Sequence, residues 1–150
     1  MSARYLVVDG HSVIFAWADL RNLHNQNRAA ARRALTEHLQ HLHDISQWRV
    51  TLVLDGKLGT TAPTGPRRPT DIVVSYATAD QTADSIIERL VAASGKAKEI
   101  TVVTADEAEK LTVESLGAAT ASPEWLRKEL DLESVTFSNE LNRVNRSARW

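Results

Sequence analysis

Acidic residues follow three short apolar runs of this sequence. Asp9 ends YLVVD, Asp55 ends VTLVLD, and Asp106 ends ITVVTAD. Because these runs are continuously apolar rather than alternating, each predicts a strand that is covered on both faces of a parallel sheet. The carboxyl ends of such strands lie at one edge of the sheet, where α/β proteins bind their ligands. The three acids are therefore expected to converge at this edge.

The segment TADQTADSIIE supplies further acids. Asp80 is placed in a loop, Asp84 in the first turn of a helix capped by Thr82, and Glu88 one turn later on the same face. Clustered carboxylates repel one another unless a cation neutralises them. Oxygen ligands without cysteine favour Mg²⁺ or Mn²⁺, which can activate water and stabilise charge on a phosphate. Each acid taken singly is equally typical of a turn or a helix cap.

Strands and helices that could position these acids alternate along the chain. The patterns predict strands over residues 5–8, 50–54, 72–76, 100–103 and 135–137. They predict helices over residues 27–48, 82–93 and 106–115, and a fourth that begins at residues 122–124. This alternation indicates an α/β fold with a mainly parallel sheet flanked by helices. Residues 57–70 are predicted to form a loop, and the tail from about residue 138 is expected to be flexible.

Composition narrows the class of protein. A chain of 150 residues with 43% hydrophobic and 25% charged residues is predicted to form one domain, over residues 1–150. It has no cysteine, which excludes thiol nucleophiles and zinc–thiolate sites. No targeting signal or apolar span is visible, so we expect a cytoplasmic protein without membrane partners. A net charge of −1 argues against a protein that coats nucleic acid, but not against a nuclease with an acidic site.

Several polar and basic residues are candidates for binding a substrate. His11 and Ser12 follow Asp9 directly, two arginines lie near the start of the first predicted helix, and two more lie in the predicted loop. Arginines in such positions could hold RNA phosphates. The candidates are His11, Ser12, Arg28, Arg32, Arg67 and Arg68. The sequence has no GxGxxG or GxxxxGK[ST] motif, which excludes the common dinucleotide and P-loop sites.

Five segments together resemble the YacP-like branch of the NYN domains, within the PIN-like ribonucleases. They are YLVVDGHSVI, LVLDG, TADSIIERL, ITVVTADEAE and GAATASPEWLRKEL, and they span residues 5 to about 130. The resemblance implies a Rossmann-like PIN/NYN fold and a metal-dependent endoribonuclease. It also implies RNA as the partner, including mRNA on the ribosome, since the family is similar to a bacterial enzyme that cuts mRNA there.

The resemblance also implies roles for individual acids. Asp9, Asp84 and Asp106 match the family's motif acids, which makes them catalytic residues and ligands of Mg²⁺ or Mn²⁺. Asp55 matches a further catalytic acid, and Asp80 is a further candidate ligand. Ser12 stands where the family usually has asparagine, and Gln81 stands where it usually has an acid.

Two other functions fit the same residues. The domain could bind RNA or the ribosome without cutting, with Ser12 and Gln81 marking a degraded site, which predicts binding that survives chelation. It could instead be a metal-dependent phosphatase of small substrates, which predicts no action on RNA. The arginines and the long loop favour a polymeric substrate.

Overall fold

The computed structural model describes residues 4–56, 71–78 and 80–147. Its strands are β1 (Arg4–Asp9), β2 (Trp48–Asp55), β3 (Val73–Ala77), β4 (Ile100–Val103) and β5 (Ala119–Ala121). Its α-helices are α1 (Gly10–Ala16), α2 (Ala18–Gln26), α3 (Arg28–Ile45), α4 (Ala83–Ala93), α5 (Glu107–Ser115) and α6 (Pro123–Ser147). A short 3₁₀ turn, Ala97–Glu99, precedes β4.

The five strands form one parallel sheet in the order β3-β2-β1-β4-β5. β1 lies at its centre, with Val8 opposite Leu52 of β2 and Val103 of β4. From β1 the chain adds β2 and β3 on one side, and then crosses over to add β4 and β5 on the other side. A ligand site is expected at the carboxyl end of β1, where this change of direction occurs. The predicted parallel α/β sheet is confirmed.

The core lies on both faces of this sheet, as the continuous apolar runs predicted. Leu6 and Val8 pack on one face with α1, α2, α3 and α6, where Leu39 and Leu126 are fully buried. Val7 and its neighbours pack on the opposite face with α4 and α5. Because both faces are covered, polar side chains of the sheet collect at the strand ends.

The boundaries of β1, β2, β3 and β4 agree with the predictions to within two residues at each end. The predicted strand at 135–137 is wrong, because Val135 and Phe137 lie within α6. The segment from about residue 138 continues the same helix to Ser147. The loop predicted for residues 57–70 lies outside the described residues. No helix in the described part of the chain is both long and apolar enough to cross a membrane.

His43 is a buried histidine on α3 that braces β2. Its Nδ1 accepts the backbone N–H of Val50 at 3.1 Å, and its Nε2 lies 3.2 Å from Nη1 of Arg49. Burial and then the charge of Arg49 lower the pKa of His43 below 6.5, against the smaller opposing effects of Asp44 and Asp71. A protonated ring would place an Nδ1 proton against the Val50 N–H, so the neutral form is the one that fits.

The free energy of unfolding is therefore expected to depend on the protonation of His43. Since its folded pKa is below its unfolded pKa, the stabilisation is complete above about pH 6.5 and is lost as the pH falls. The slope from this residue is at most about 1.4 kcal/mol per pH unit. Urea unfolding of wild type and His43→Asn between pH 7.5 and 5 should show a shallower dependence for the variant, whose amide oxygen can still accept from Val50. Equal slopes would rule out this role.

Candidate carboxylate site

Asp9 is the centre of the candidate site and is buried at the junction of β1 and α1. It caps α1, although its Oδ1 is 3.5 Å from the Ser12 backbone N–H. The stronger contacts are to Oδ2, which accepts the Ser12 hydroxyl at 2.8 Å and the Thr104 hydroxyl at 3.0 Å. A buried carboxylate needs such donors to offset the loss of water. Asp9 is thus fixed by side chains from α1 and from the end of β4.

The same hydroxyls connect Asp9 to the segment that carries Asp106. Ser12 Oγ accepts the Ala105 backbone N–H at 3.1 Å, and Thr104 Oγ1 accepts the Asp106 N–H at 3.2 Å. Ser12 was predicted to bind substrate; its observed contacts hold Asp9 and Ala105, and contact with a substrate stays a prediction. The asparagine of the family pattern is therefore replaced here by a hydroxyl that is fully engaged within the protein.

Replacing Thr104 with valine is expected to lower the free energy of unfolding by about 1–3 kcal/mol. Valine has nearly the same shape but leaves the Asp106 N–H and one Asp9 contact without the hydroxyl. Urea unfolding in EDTA measures the loss. Thr101→Val is the matched control, because Thr101 lies half-buried in β4, three residues before Thr104, and makes no side-chain hydrogen bond to the described residues. Equal losses in the free energy of unfolding for the two variants would contradict a stabilising role of the Thr104 hydrogen bonds.

Steric crowding explains why glycine follows Asp9 and Asp55. A Cβ at Gly10 would lie 2.5 Å from Cδ2 of Leu54, and a Cβ at Gly56 would lie 2.1 Å from the Ala77 carbonyl oxygen. Both distances are too short for a real side chain. Glycine therefore allows the chain after β1 and β2 to turn against its neighbours, which leaves Asp9 and Asp55 at the edge of the sheet.

Asp84 and Asp106 come from helix starts that face this edge. Thr82 and Ser85 form a capping box that begins α4, and Asp84 lies half-buried in its first turn. Asp106 caps α5, because its Oδ1 accepts the N–H groups of Ala108 and Glu109. Negative groups at helix N-termini are also favoured by the helix dipole. These local interactions hold two sequence-distant acids at the same edge.

Electrostatic repulsion among these acids contributes to a raised pKa of Asp84. The pKa of Asp84 is raised to about 6, chiefly by burial and then, in order of importance, by the charges of Asp9 and Asp106, a hydrogen bond with Asp106 and the charge of Glu88. Carboxylates that raise one another's pKa are typical of sites that hold a cation or a proton. Asp84 therefore lies in a region of concentrated negative charge.

A cavity of about 440 Å³ opens at this edge of the sheet. Four of the predicted site acids line it, from four different elements, and so do the predicted binding residues His11 and Ser12. Its lining comprises Asp9, His11, Ser12, Asp55, Gly56, Ala77, Thr78, Gln81, Thr82, Ala83, Asp84 and Asp106. Asp80, predicted as a ligand, is exposed and does not line this cavity. Arg67 and Arg68 lie outside the described residues.

The chemistry of the cavity acids fits a hard divalent cation, since every charged donor is a carboxylate oxygen. No group of three or more His, Asp or Glu side chains in residues 4–56, 71–78 and 80–147 is already arranged to hold one ion. A cation would therefore have to draw Asp9, Asp84 and Asp106 closer together than they stand here. Repulsion from the neighbouring carboxylates contributes to the raised pKa of Asp84, and a bound cation would neutralise this repulsion.

Glu109 is a buried acid that the sequence patterns did not single out. It is 2% exposed, and its Oε1 has no hydrogen-bond partner among the described residues. Burial raises its pKa to about 8, helped by a hydrogen bond with Glu88 and by the charges of Asp84, Glu88 and Asp9. The available signal was its position four residues before Val113, on the inward face of α5. It extends the acidic cluster beneath the cavity lining.

The two predicted arginines of α3 are not part of the cavity lining. Arg32 of α3 donates from Nη2 to the Asp55 carbonyl oxygen at 3.0 Å, and Arg28 is exposed one turn earlier. His11 lies in the lining, with its Nδ1 3.9 Å from Oδ2 of Asp55. The structure thus brings Arg28, Arg32 and His11 to one side of the acids.

The parallel sheet, with carboxylates gathered beyond its central strand, is the arrangement expected of a PIN-like α/β domain. The same fold is seen in two crystal structures of Rae1 (YacP) from Bacillus subtilis. One, at 25% identity, has a TM-score of 0.78 and covers 98% of this chain and 83% of its own chain. The other, of a W164L mutant at 24% identity, also has a TM-score of 0.78, with 97% and 86% covered. Among curated proteins, no match to this chain was found.

The chain belongs to the YacP-like NYN domain family, whose model matches residues 6–150. The match includes the strand ends that carry Asp9, Asp55 and Asp106 and the helix that carries Asp84. The resemblance read from the sequence motifs is therefore confirmed at the level of family and fold.

Proposed function

We propose that this protein is a Mg²⁺- or Mn²⁺-dependent endoribonuclease that cuts RNA in the carboxylate-lined cavity. The observation that carries the proposal is the meeting of Asp9, Asp55, Asp84 and Asp106 in one cavity, each from a different element. Membership of the NYN family, within the PIN-like nucleases, supports a phosphodiester as the substrate. The cytoplasm, where mRNA and ribosomes are available, is the location that we propose with it.

Asp9, Asp84 and Asp106 are the residues proposed to hold the cation. When bound, a divalent cation lowers the pKa of attacking water and stabilises negative charge on the phosphate. Asp9 stays oriented because Ser12 and Thr104 donate to its Oδ2. The Asp84 carboxylate, already repelled by its neighbours, is stabilised once that repulsion is neutralised.

Asp55 is proposed to orient the attacking water and to accept its proton. Its carboxylate faces the cavity but is not hydrogen-bonded to Ser12 or Thr104 as Asp9 is. His11 lies 3.9 Å from it and is exposed enough to meet a phosphate oxygen of the strand. The water oxygen bonds to phosphorus as the bond to the leaving ribose oxygen breaks, and that oxygen takes a proton from solvent.

The test compares single-stranded RNA, single-stranded DNA and an aryl phosphate monoester as substrates, each with Mg²⁺ or Mn²⁺ and with EDTA. We expect internal cleavage of RNA that requires the cation. Hydrolysis of the monoester alone would instead support a phosphatase. Supplying ribosomes that hold an mRNA, in a parallel reaction, tests whether bound mRNA is the preferred substrate.

RNA binding without cleavage is the second candidate, and Gln81 is the observation that favours it. This neutral amide lines the cavity, where the family pattern usually has an acid. A lower negative charge would weaken cation binding. Under this alternative, RNA affinity is the same with and without EDTA, and neither free RNA nor ribosome-bound mRNA is cut. Substituting Gln81→Glu would then be expected to strengthen cation binding.

A further inference from the structure

Three aromatic rings form a continuous patch beside the cavity. Phe15 of α1 lies between His11, one turn earlier, and His24 of α2, with ring centroids 4.5 Å and 4.9 Å away. Phe15 is 39% exposed, and the His11 side chain is 58% exposed. A large apolar ring usually lies in the core, so an exposed phenylalanine that imidazoles hold in place suggests a contact surface.

Arginines lie close to the His24 side of this patch. After burial, the charges of Arg28, His11 and Arg32 are the causes that lower the pKa of His24. Nδ1 of His24 is buried and has no hydrogen-bond partner among the described residues. A flat apolar ring bordered by cations is the combination that proteins use to bind single-stranded nucleic acid.

The patch is continuous with the carboxylate cavity through two contacts. His11 belongs both to the patch and to the cavity lining, next to Asp55. Arg32 donates to the Asp55 backbone carbonyl, so its guanidinium lies between α3 and the end of β2. A strand whose phosphate enters the cavity would thus have its neighbouring nucleotide over Phe15.

We propose that Phe15, held between His11 and His24, is a stacking platform for one nucleobase of single-stranded RNA, with Arg28 and Arg32 binding the adjacent phosphates. The proposal rests on the proposed nuclease function and adds the position of the substrate. Stacking on an aromatic face accepts any base, so the platform fixes the strand without reading its sequence. A paired base is already stacked within its duplex and would have to be unpaired to reach Phe15, which makes single-stranded RNA the ligand.

Two substitutions separate stacking from packing. Phe15→Leu keeps an apolar side chain but loses the flat ring, and Phe15→Trp keeps a ring. Fluorescence anisotropy with a labelled single-stranded RNA in EDTA measures affinity without cleavage. We expect the Kd to rise by about fivefold or more for Phe15→Leu and to stay within about twofold for Phe15→Trp. Phe137→Leu is the matched control, because Phe137 on α6 is equally exposed, at 39%, and should bind as wild type.

A base-free oligomer of ribose phosphate distinguishes bases from backbone. Wild type and Phe15→Leu should bind it equally, since only the base stacks. An unchanged RNA affinity of Phe15→Leu, an equal loss for the base-free oligomer, or no RNA binding by wild type would overturn the platform. Melting curves of all variants confirm that each is folded.

Cleavage by the same proteins in Mg²⁺ separates the two proposals. If wild type cuts RNA and Phe15→Leu has an unchanged KM, the platform is wrong and the nuclease stands. If RNA binding depends on Phe15 but neither free RNA nor ribosome-bound mRNA is cut, the platform stands and the nuclease is wrong. A higher KM with a nearly unchanged kcat in Phe15→Leu supports both.

Discussion

Replacing Asp9 with asparagine is expected to reduce the rate of RNA cleavage by about a hundredfold or more. The amide is as large as the carboxylate and keeps an oxygen that can accept from Ser12, but it has no charge for a cation. Loss of a residue that merely supports a metal ligand costs roughly 10–100-fold, and loss of a ligand itself should cost at least as much. The measurement is the initial rate of cleavage of a single-stranded RNA at saturating Mg²⁺.

Asp131→Asn is the control for this substitution, because it removes one exposed negative charge from α6, away from the cavity lining. It should cut RNA at the wild-type rate. Melting temperatures show whether Asp9→Asn is folded. A folded Asp9→Asn that cuts as fast as wild type would remove Asp9 from the site.

Addition of Mg²⁺ or Mn²⁺ is expected to stabilise the metal-free protein strongly. Burial and the neighbouring charges of Asp9 and Asp106 raise the pKa of Asp84 to about 6. The close approach of these acids therefore destabilises the folded state when no cation is bound. A cation that binds only the folded state adds about 2.7 kcal/mol at a concentration one hundred times its Kd. For a chain of this size that is a rise of about 5–10 °C in Tm. Thermal unfolding monitored by circular dichroism measures it.

Screening by salt has to be separated from binding, because any electrolyte weakens repulsion between exposed charges. NaCl at matched ionic strength is therefore the control, and its effect should be much smaller. Asp84→Asn removes one of the proposed ligands and should reduce the rise caused by Mn²⁺. Equal stabilisation of wild type by NaCl and by Mn²⁺ would contradict a cation site at these acids.

The sheet and the acids at its edge were predictable from sequence for a clear reason. The part of a strand that is buried on both faces is mainly apolar, so the first charged residue after the apolar run marks its end, as at Asp9 and Asp55. The topology of a parallel sheet then brings these ends together. Asp80 was less predictable, because a loop residue has no periodic pattern to place it, and it lies outside the cavity lining.

The patterns failed where local preference and tertiary structure disagree. Val135, Thr136 and Phe137 favour a strand singly, yet they continue a helix of 25 residues that Pro123 begins. The two short helices α1 and α2 were not predicted, because they are brief and meet at Trp17 without a polar cap. The strand β5, only Ala119–Ala121, is too short and too poor in large residues to give a signal.

Two features of the site needed side-chain positions. Glu109 reads as an ordinary acid of a helix start, and only its burial beside Glu88 reveals that it belongs with the acidic cluster. Phe15 reads as a core residue, and only its exposure between His11 and His24 makes it a candidate for binding RNA. Contacts between distant residues, rather than residue type, carry both inferences.

Cleavage of a circular single-stranded RNA, by wild type first freed of metal with EDTA and then titrated with Mn²⁺, tests the proposed function most directly. A circle has no ends, so any linear product reports an internal cut. We expect no product in EDTA, linear RNA when Mn²⁺ is returned, and a rate about a hundredfold or more lower with Asp9→Asn at every Mn²⁺ concentration. Cleavage that persists in EDTA, or that Asp9→Asn performs equally well, would contradict a cation-dependent nuclease built on these carboxylates.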